Sequence, residues 1–377
     1  MTVYGTRPEA IKLAPVIAAL KSDDRFDSIV VSTGQHQDIL ANVERRFGIR
    51  PHHELGLMVH GQELNLLVAR VLMGLDELLA DVMPDILIVQ GDTSTAMAAG
   101  LACFHRDVKV VHLEAGLRTG DIGSPFPEEG NRKIITQVAH LHLSPTQGAK
   151  DNLLREAVPA SDVVVTGNTV IDSLFRALSW DVDFDDERLN QLMSLERRVV
   201  LITTHRRENL GSLTQIGVAI QELASRFPDC SFVLPLHPNP RVRDVLQPMF
   251  SGIPNVVVTS PLPYDQFTRL LNKADLILTD SGGIQEEAPS LGKPVLVMRD
   301  NTERPDAVAA GTVKLVGTGT DSIVLEATRL LKDDVAYAEM ASAVNPYGDG
   351  KAADRVVAAV AELAGLGDRL PDFNVAI

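Results

Sequence analysis

Short runs rich in Val, Ile and Leu alternate along the chain with stretches whose apolar residues recur every three or four positions. In the first half the runs are Thr2–Tyr4, Ile29–Ser32, Asp85–Val89, Val108–Leu113, Leu141–Leu143 and Val163–Thr166. In the second half they are Val199–Thr203, Ser231–Leu236, Val256–Thr259, Leu276–Thr279, Pro294–Met298 and Thr312–Val316. Most are apolar at successive positions, the pattern of a strand covered on both faces. Helical patterns lie between them, among them Glu9–Leu20, Glu63–Leu79 and Ser212–Arg226. A strand–helix–strand rhythm predicts parallel sheets with right-handed crossovers. The chain is therefore expected to be α/β, with two Rossmann-like doubly wound domains at 1–170 and 171–350. The polar stretch WDVDFDDERLNQ breaks the rhythm and is expected as an exposed connection near that seam. After NPYGDG, AADRVVAAVAELAGL predicts a last helix within 351–377. The first run is short, and its true start is expected a few residues upstream.

Composition narrows the functions. Among 377 residues, Lys+Arg 35 against Asp+Glu 50 gives a net charge of −15. That balance argues against nucleic acid or an anionic membrane as partner, since both are bound through Lys and Arg. A local basic cluster remains able to bind a phosphate. Cys103 and Cys230 form no C-x-x-C pair and are expected as buried small residues in a reducing compartment. The N-terminal residues lack an apolar signal core and no run reaches about 18 apolar residues. A cytoplasmic protein is expected. No His/Cys/Asp/Glu set has metal-ligand spacing, so no metal is expected.

In open α/β sheets ligands sit beyond the C-terminal ends of the strands. The polar residues that directly follow the apolar runs are therefore the candidates. Gly5 to Glu9 follow the first run and open a helix carrying Lys12; Gly91, Asp92 and Thr93 follow Asp85–Val89. Glu114 to Arg118 follow Val108–Leu113, and His205 to Glu208 follow Val199–Thr203. Ser281, Gly282 and Gly283 sit where Leu276–Thr279 turns into a helix. Backbone amides there can form an anion nest suited to a diphosphate, with Glu287 one turn on for ribose hydroxyls. A plain capped helix would explain part of this pattern. There is no G-x-G-x-x-G after a strand and no Walker-A lysine loop, so NAD and ATP are poor fits and no cofactor is expected. Arg7 and Lys12 bring positive charge to the mouth of the first strand; Arg132 and Arg304 could add bidentate phosphate contacts. Asp92, Glu114 and Glu128 beside such cations suit proton transfer at a weakly acidic carbon, one face against the other. His205 supplies a group titrating near neutrality, or a donor to a phosphate oxygen. His140 and His142 are expected as packed or edge residues, and His52 and His53 as loop residues.

The segments GTRPEAIKLAP, VQGDTST, HLEAGLRTGD, PFPEEGNR, VTGNTVID, THRREN, LTDSGGIQEEAPSLGKPVLVMRDNTERP and NPYGDG occur in order over nearly the whole chain. Together they resemble the non-hydrolysing UDP-N-acetylglucosamine 2-epimerases. The resemblance implies a glycosyltransferase-B-like pair of domains with an interdomain active-site cleft, a last helix returning to the first domain, and a homodimer. It implies reversible epimerisation of UDP-N-acetylglucosamine to UDP-N-acetylmannosamine through UDP elimination and a 2-acetamidoglucal. The family's proton-transfer carboxylates fall on Asp92, Glu114 and Glu128, and its cleft histidine on His205. Its phosphate and uridine contacts fall on Arg7, Lys12, Phe267, Ser281, Gly282, Gly283, Glu287 and Arg304, with Arg132 matching a further cleft arginine. Phe267 is named by the resemblance alone. Two other functions stay open: an epimerase of a modified UDP sugar such as a diacetamido uronic acid, or a hydrolysing one, and a non-catalytic nucleotide-sugar binding protein. An extra cleft cation would mark the uronic acid reading, release of free UDP the hydrolytic one, and tight binding without turnover the last.

Two departures stand out. Gln90 replaces the histidine usual before Gly-Asp-Thr. Gln35 and His237 match the site at which bacterial members bind a second, activating substrate molecule, but Asp38 replaces its second Gln and Gly61 its Arg. Losing a cation and gaining a carboxylate beside a diphosphate weakens binding by roughly a few kcal/mol. Activation by substrate is therefore expected to be weak or absent, and initial rates should rise hyperbolically with substrate. A strongly sigmoidal curve that Gln35→Ala abolishes would overturn this expectation.

Overall fold

The computed structural model of the chain describes residues 1–34, 37–57 and 61–374; of 37–39 and 207 it describes the backbone alone. The chain divides into two compact units, Met1–Ser173 with Tyr347–Ile377, and Leu174–Pro346. In the first, β1 (Thr2–Tyr4), β2 (Val30–Ser32), β3 (His53–Glu54), β4 (Ile86–Gln90), β5 (Lys109–Leu113), β6 (Leu141–Ser144) and β7 (Val163–Val165) form one sheet. Its order is β3-β2-β1-β4-β5-β6-β7 and every pairing is parallel. The second holds β8 (Val199–Thr203), β9 (Ser231–Pro235), β10 (Val256–Thr259), β11 (Leu276–Thr279), β12 (Val295–Val297) and β13 (Val313–Leu315). Their order is β10-β9-β8-β11-β12-β13, again all parallel. Each unit is thus doubly wound, as the strand–helix rhythm predicts.

The central strands of both sheets are buried on both faces, while β3, β10 and β13 at the edges are partly open to water. In the first unit Val3, Val31, Leu87, Val89 and Val110 pack with Leu67, Val71, Leu75 and Leu79 of the helix Leu64–Val82. Alanines of the helix Ser94–Phe104 join the same core. The helices Arg7–Lys21, Gln37–Phe47 and Ala352–Leu363 form a second group, the last packed on the first. Asp172 caps that last helix by accepting from the amides of Ala352 and Ala353 at 3.3 and 2.9 Å. In the second unit Ile202, Phe232, Leu234, Leu278 and Leu296 pack with Ile216, Ile220 and Leu223 of the helix Leu213–Arg226.

Two local expectations are corrected. His53 lies in a strand, not a loop: β3 pairs with β2, Val31 opposite His53, although two residues leave no apolar run to read. The neighbouring His52 fastens it, its amide donating to the Val30 carbonyl at 2.7 Å and its Nδ1 accepting from the Val30 amide at 3.0 Å. The stretch WDVDFDDERLNQ is not an exposed connection either. Val182 and Phe184 alternate into the interior, and Asp186 caps the helix Glu187–Met193, whose Leu189 and Leu192 are buried. The charged residues that make up half of it hid this period. Among the described residues no helix is long and apolar enough to cross a membrane.

His112 on β5 and His142 on β6 are register neighbours, and both are buried. The His112 Nε2 bonds the Gly91 carbonyl at 2.7 Å, which fixes the turn after β4. Burial pushes His112 down to about 3 and His142 down to about 4. The unfolded chain takes up each proton near pH 6.5 while the folded chain refuses it, so stability is complete above that pH and is lost as the pH falls. Each ring is expected to cost the fold about 2 kcal/mol between pH 7.5 and pH 5. Urea unfolding at the two pH values checks this: His142→Leu should shrink the pH dependence by about 2 kcal/mol, and an unchanged dependence would contradict it.

Candidate functional site

In each sheet the chain order reverses once, between β1 and β4 and between β8 and β11. At such a switch point neighbouring loops diverge to opposite faces and leave a crevice beyond the strand ends. In the first unit Glu9 ties the two loops together. It is buried, and it accepts from the Gly5 and Thr6 amides at 3.0 and 2.7 Å and from the Thr93 hydroxyl at 2.6 Å. Burial raises its carboxyl pKa, while these hydrogen bonds pull the other way. Arg7 opens the helix that Glu9 anchors, and Lys12 lies buried one turn further on.

Glu114 directly follows β5 in a left-handed conformation, φ 67°. A residue with a Cβ holds that conformation at a cost, and such residues gather at functional sites. Its Oε2 receives the Lys12 ammonium, Gln90 Nε2 at 2.8 Å and Asn168 Nδ2 at 3.3 Å. Two residues on, a side chain at Gly116 would overlap the Ala149 carbonyl, so the turn that aims Glu114 requires glycine. Asp92, after β4, accepts from Arg132 Nη2 at 2.5 Å, and Arg132 also donates to Glu129 at 2.8 Å. Burial would lower the Arg132 pKa; Asp92 and Glu129 hold it above its ordinary value. Glu128 is half-buried, and its Oε2 has no hydrogen-bond partner among the described residues.

The second unit's switch point has a different chemistry. The Ser281 amide is taken by Thr279 Oγ1 at 2.9 Å, which leaves the amides of Gly282 and Gly283 as the cradle at the head of the helix Gly282–Glu287. Arg304 lies over the first glycine: a Cβ at Gly282 would come within 2.7 Å of the guanidinium carbon. Arg304 donates to Glu286 at 2.7 Å and Glu303 at 2.5 Å. Glu303 also accepts from Arg206 at 2.9 Å and Arg299 at 3.0 Å. Burial alone would raise the Glu303 carboxyl, but the three guanidiniums hold it far below the usual carboxylate range. The Tyr264 hydroxyl donates to Glu287 Oε1 at 2.8 Å, and Phe267 lies on the same helix, Tyr264–Lys273. The His205 ring, on the loop after β8, stacks on His237 at 5.5 Å.

A family model described as UDP-N-acetylglucosamine 2-epimerase matches residues 18–361. The chain belongs to that family. A Yersinia pestis UDP-N-acetylglucosamine 2-epimerase is 48% identical over 366 residues, 96% of this chain and 97% of that one. The Neisseria meningitidis UDP-GlcNAc 2-epimerase, in a crystal structure bound to UDP-GlcNAc, is similar at a TM-score of 0.89 and 45% identity, covering 96% of this chain and 99% of that one. The S. aureus MnaA–UDP co-structure is similar at a TM-score of 0.92 and 40% identity, over 99% of each chain. The family is one of isomerases.

Within this epimerase fold the candidates fall into two sets. Arg7, Lys12, Asp92, Glu114, Glu128 and Arg132 belong to the first unit; His205, His237, Phe267, Ser281, Gly282, Gly283, Glu287 and Arg304 belong to the second. Arg132 does not present its donors to solvent for a phosphate: they go to Asp92 and Glu129. Gln35 lies outside the described residues, as does the Asp38 side chain, and Gly61 is exposed. Sequence reasoning missed Asn168, Tyr264 and Glu303, and it named Glu9 and Asp280 at strand ends without giving either a role. Asn168 lies three residues beyond the end of β7, within reach of the same strand-end rule that found Asp280. Glu303 carried no such signal, since only the fold brings Arg206, Arg299 and Arg304 around it.

Removing Arg132 strands the buried Glu129 carboxylate. Arg132→Met is therefore expected to cost about 3 kcal/mol of stability, and adding Glu129→Gln to restore much of it. Urea unfolding of the single and double variants decides; a loss below about 1 kcal/mol would show that the pair is not a buried ion pair in solution.

Proposed function

We propose that this protein interconverts UDP-N-acetylglucosamine and UDP-N-acetylmannosamine by epimerisation at C2. The observation that carries this reading is the trio of carboxylates in the first unit, each in a different hydrogen-bonding state. Asp92 is paired with Arg132, Glu114 with Lys12, and Glu128 keeps one buried oxygen without a partner among the described residues. Groups so differentiated suit removal of a proton on one face and its return on the other. The match to the family over 18–361 supports the same reading, as does the Neisseria meningitidis relative, whose structure holds UDP-GlcNAc.

In the proposed reaction a carboxylate takes the C2 proton as the C1–O bond to UDP breaks. The C2–H electron pair forms the C1=C2 bond of a 2-acetamidoglucal, and the C1–O pair leaves with UDP. UDP then adds back at C1 and a proton returns to C2 from the opposite face. The C2–H is weakly acidic, so stabilising the departing diphosphate must carry much of the barrier. The Gly282 and Gly283 amides, Arg304 and His205 are the second unit's groups for that charge. Glu287, Tyr264 and Phe267 are its groups for the uridine, and Arg7 adds charge for the diphosphate. Gln90, where relatives usually carry His, serves to hold Glu114 through Nε2. The protein would work in the cytoplasm as a homodimer; exposed Leu66 and Met73 on the helix Leu64–Val82 offer apolar surface for association.

Proton NMR of the purified protein with UDP-N-acetylglucosamine in deuterated water tests the proposal. Growth of UDP-N-acetylmannosamine, with deuterium at C2 of both epimers, is expected. Free UDP with N-acetylmannosamine would move the protein to the hydrolysing branch. An unchanged spectrum would leave a modified UDP sugar or a binding protein, and overturn the substrate named here.

A further inference from the structure

Asp280 ends the apolar run of β11, immediately before the Ser281–Gly283 turn, and is fully buried. Its carboxylate is ringed by the loop that follows β8. The His205 amide lies 3.1 and 3.0 Å from its two oxygens, and the Arg206 amide donates to Oδ2 at 3.0 Å. Thr204 Oγ1 and Asn209 Nδ2 donate to Oδ2 at 2.9 and 3.1 Å. Beyond these five hydrogen bonds, the partly exposed His205 ring brings Nδ1 to 3.4 Å from Oδ1, within ion-pair reach and one small rotation short of a hydrogen bond. A buried carboxylate is costly unless its lone pairs are met. Amides and hydroxyls could be met by a neutral acceptor, whereas an imidazole N–H gains from the full negative charge. On its face the same ring is packed against His237, the planes 16° apart.

The geometry points to Asp280 as the positioning residue for His205. It directs Nδ1–H of the imidazole to the carboxylate, and so leaves Nε2 as the nitrogen offered to a diphosphate oxygen or a proton. The partner of one ring nitrogen sets the state of the other. Asp280 does not touch substrate; it acts through His205 and through the backbone of the same loop. The single side chain that aims the histidine also heads the turn of the glycine cradle, so two of the groups assigned to the leaving diphosphate share one anchor. This rests on the role given to His205 in the proposed function, but the state of the ring can be measured apart from it.

A long-range nitrogen–proton correlation spectrum of protein labelled at its 10 histidines, taken at pH 8, reads which ring nitrogen carries the proton. His205→Gln identifies the resonance by its disappearance. Wild-type His205 is expected to carry its proton on Nδ1, and a ring protonated on Nε2 would overturn the proposal whatever sugar the protein acts on. In turnover, Asp280→Asn should lower kcat roughly 10²-fold. The double variant with His205→Gln should be no slower than His205→Gln alone. Losses that multiply, or an Asp280→Asn enzyme as fast as wild type beside a slow His205→Gln, would refute it. If Asp280→Asn fails to fold, the wild-type spectrum still decides.

Discussion

A carboxylate taken out of water at the end of a buried strand must be met donor for donor, and most of the polar architecture of this chain follows from that requirement. Parallel strands covered on both faces leave no place for charge along their length. Charge is therefore driven to the strand ends, where loop amides, hydroxyls and cations gather around it. Glu9 is met by two amides and a hydroxyl, Glu114 by an ammonium and two carboxamides, Asp280 by amides, a hydroxyl and a carboxamide, Glu303 by three guanidiniums. Removing one member of such a set exposes the rest to the cost of desolvation.

The two units answer the same requirement with different chemistry. In the first, cations are spent on carboxylates one by one, which leaves acids and bases in unlike states side by side. In the second, a short helix begins at two glycines beneath a guanidinium, and the carboxylates serve to hold arginines and a histidine in place. Similar windings thus carry an acid–base set in one case and an anion cradle in the other. Fold alone would not have told them apart.

The strands were legible because β-rich apolar runs are long enough to stand out, and the strand ends then named most of the candidate site. What stayed hidden was contact between segments far apart in sequence. β3 is two residues with no apolar period, yet β2 recruits it. Val182 and Phe184 were masked by the aspartates between them. Arg132 and Arg304 were visible as cations, but a sequence does not show that Asp92 and Glu129 engage the one and that Glu286 and Glu303 hold the other through Nε and Nη1. The left-handed backbone of Glu114 and the closeness of Arg304 to Gly282 depend on packing rather than on residue type.

The first unit is assembled from two stretches of chain with the whole second unit between them, and Asp172 waits for the amides of Ala352 and Ala353 to cap its partner helix. During synthesis, at roughly 5–20 residues per second, the ribosome must deliver the entire second unit before that helix exists. For on the order of ten seconds or more the nascent first unit is a nearly closed fold with one wall missing, its helix Arg7–Lys21 uncovered on the side that Ala352–Leu363 will take. The second unit, being continuous, can close in that interval. The order in which the molecule becomes complete is thus inside out: the inserted half first, and the half that begins the chain last.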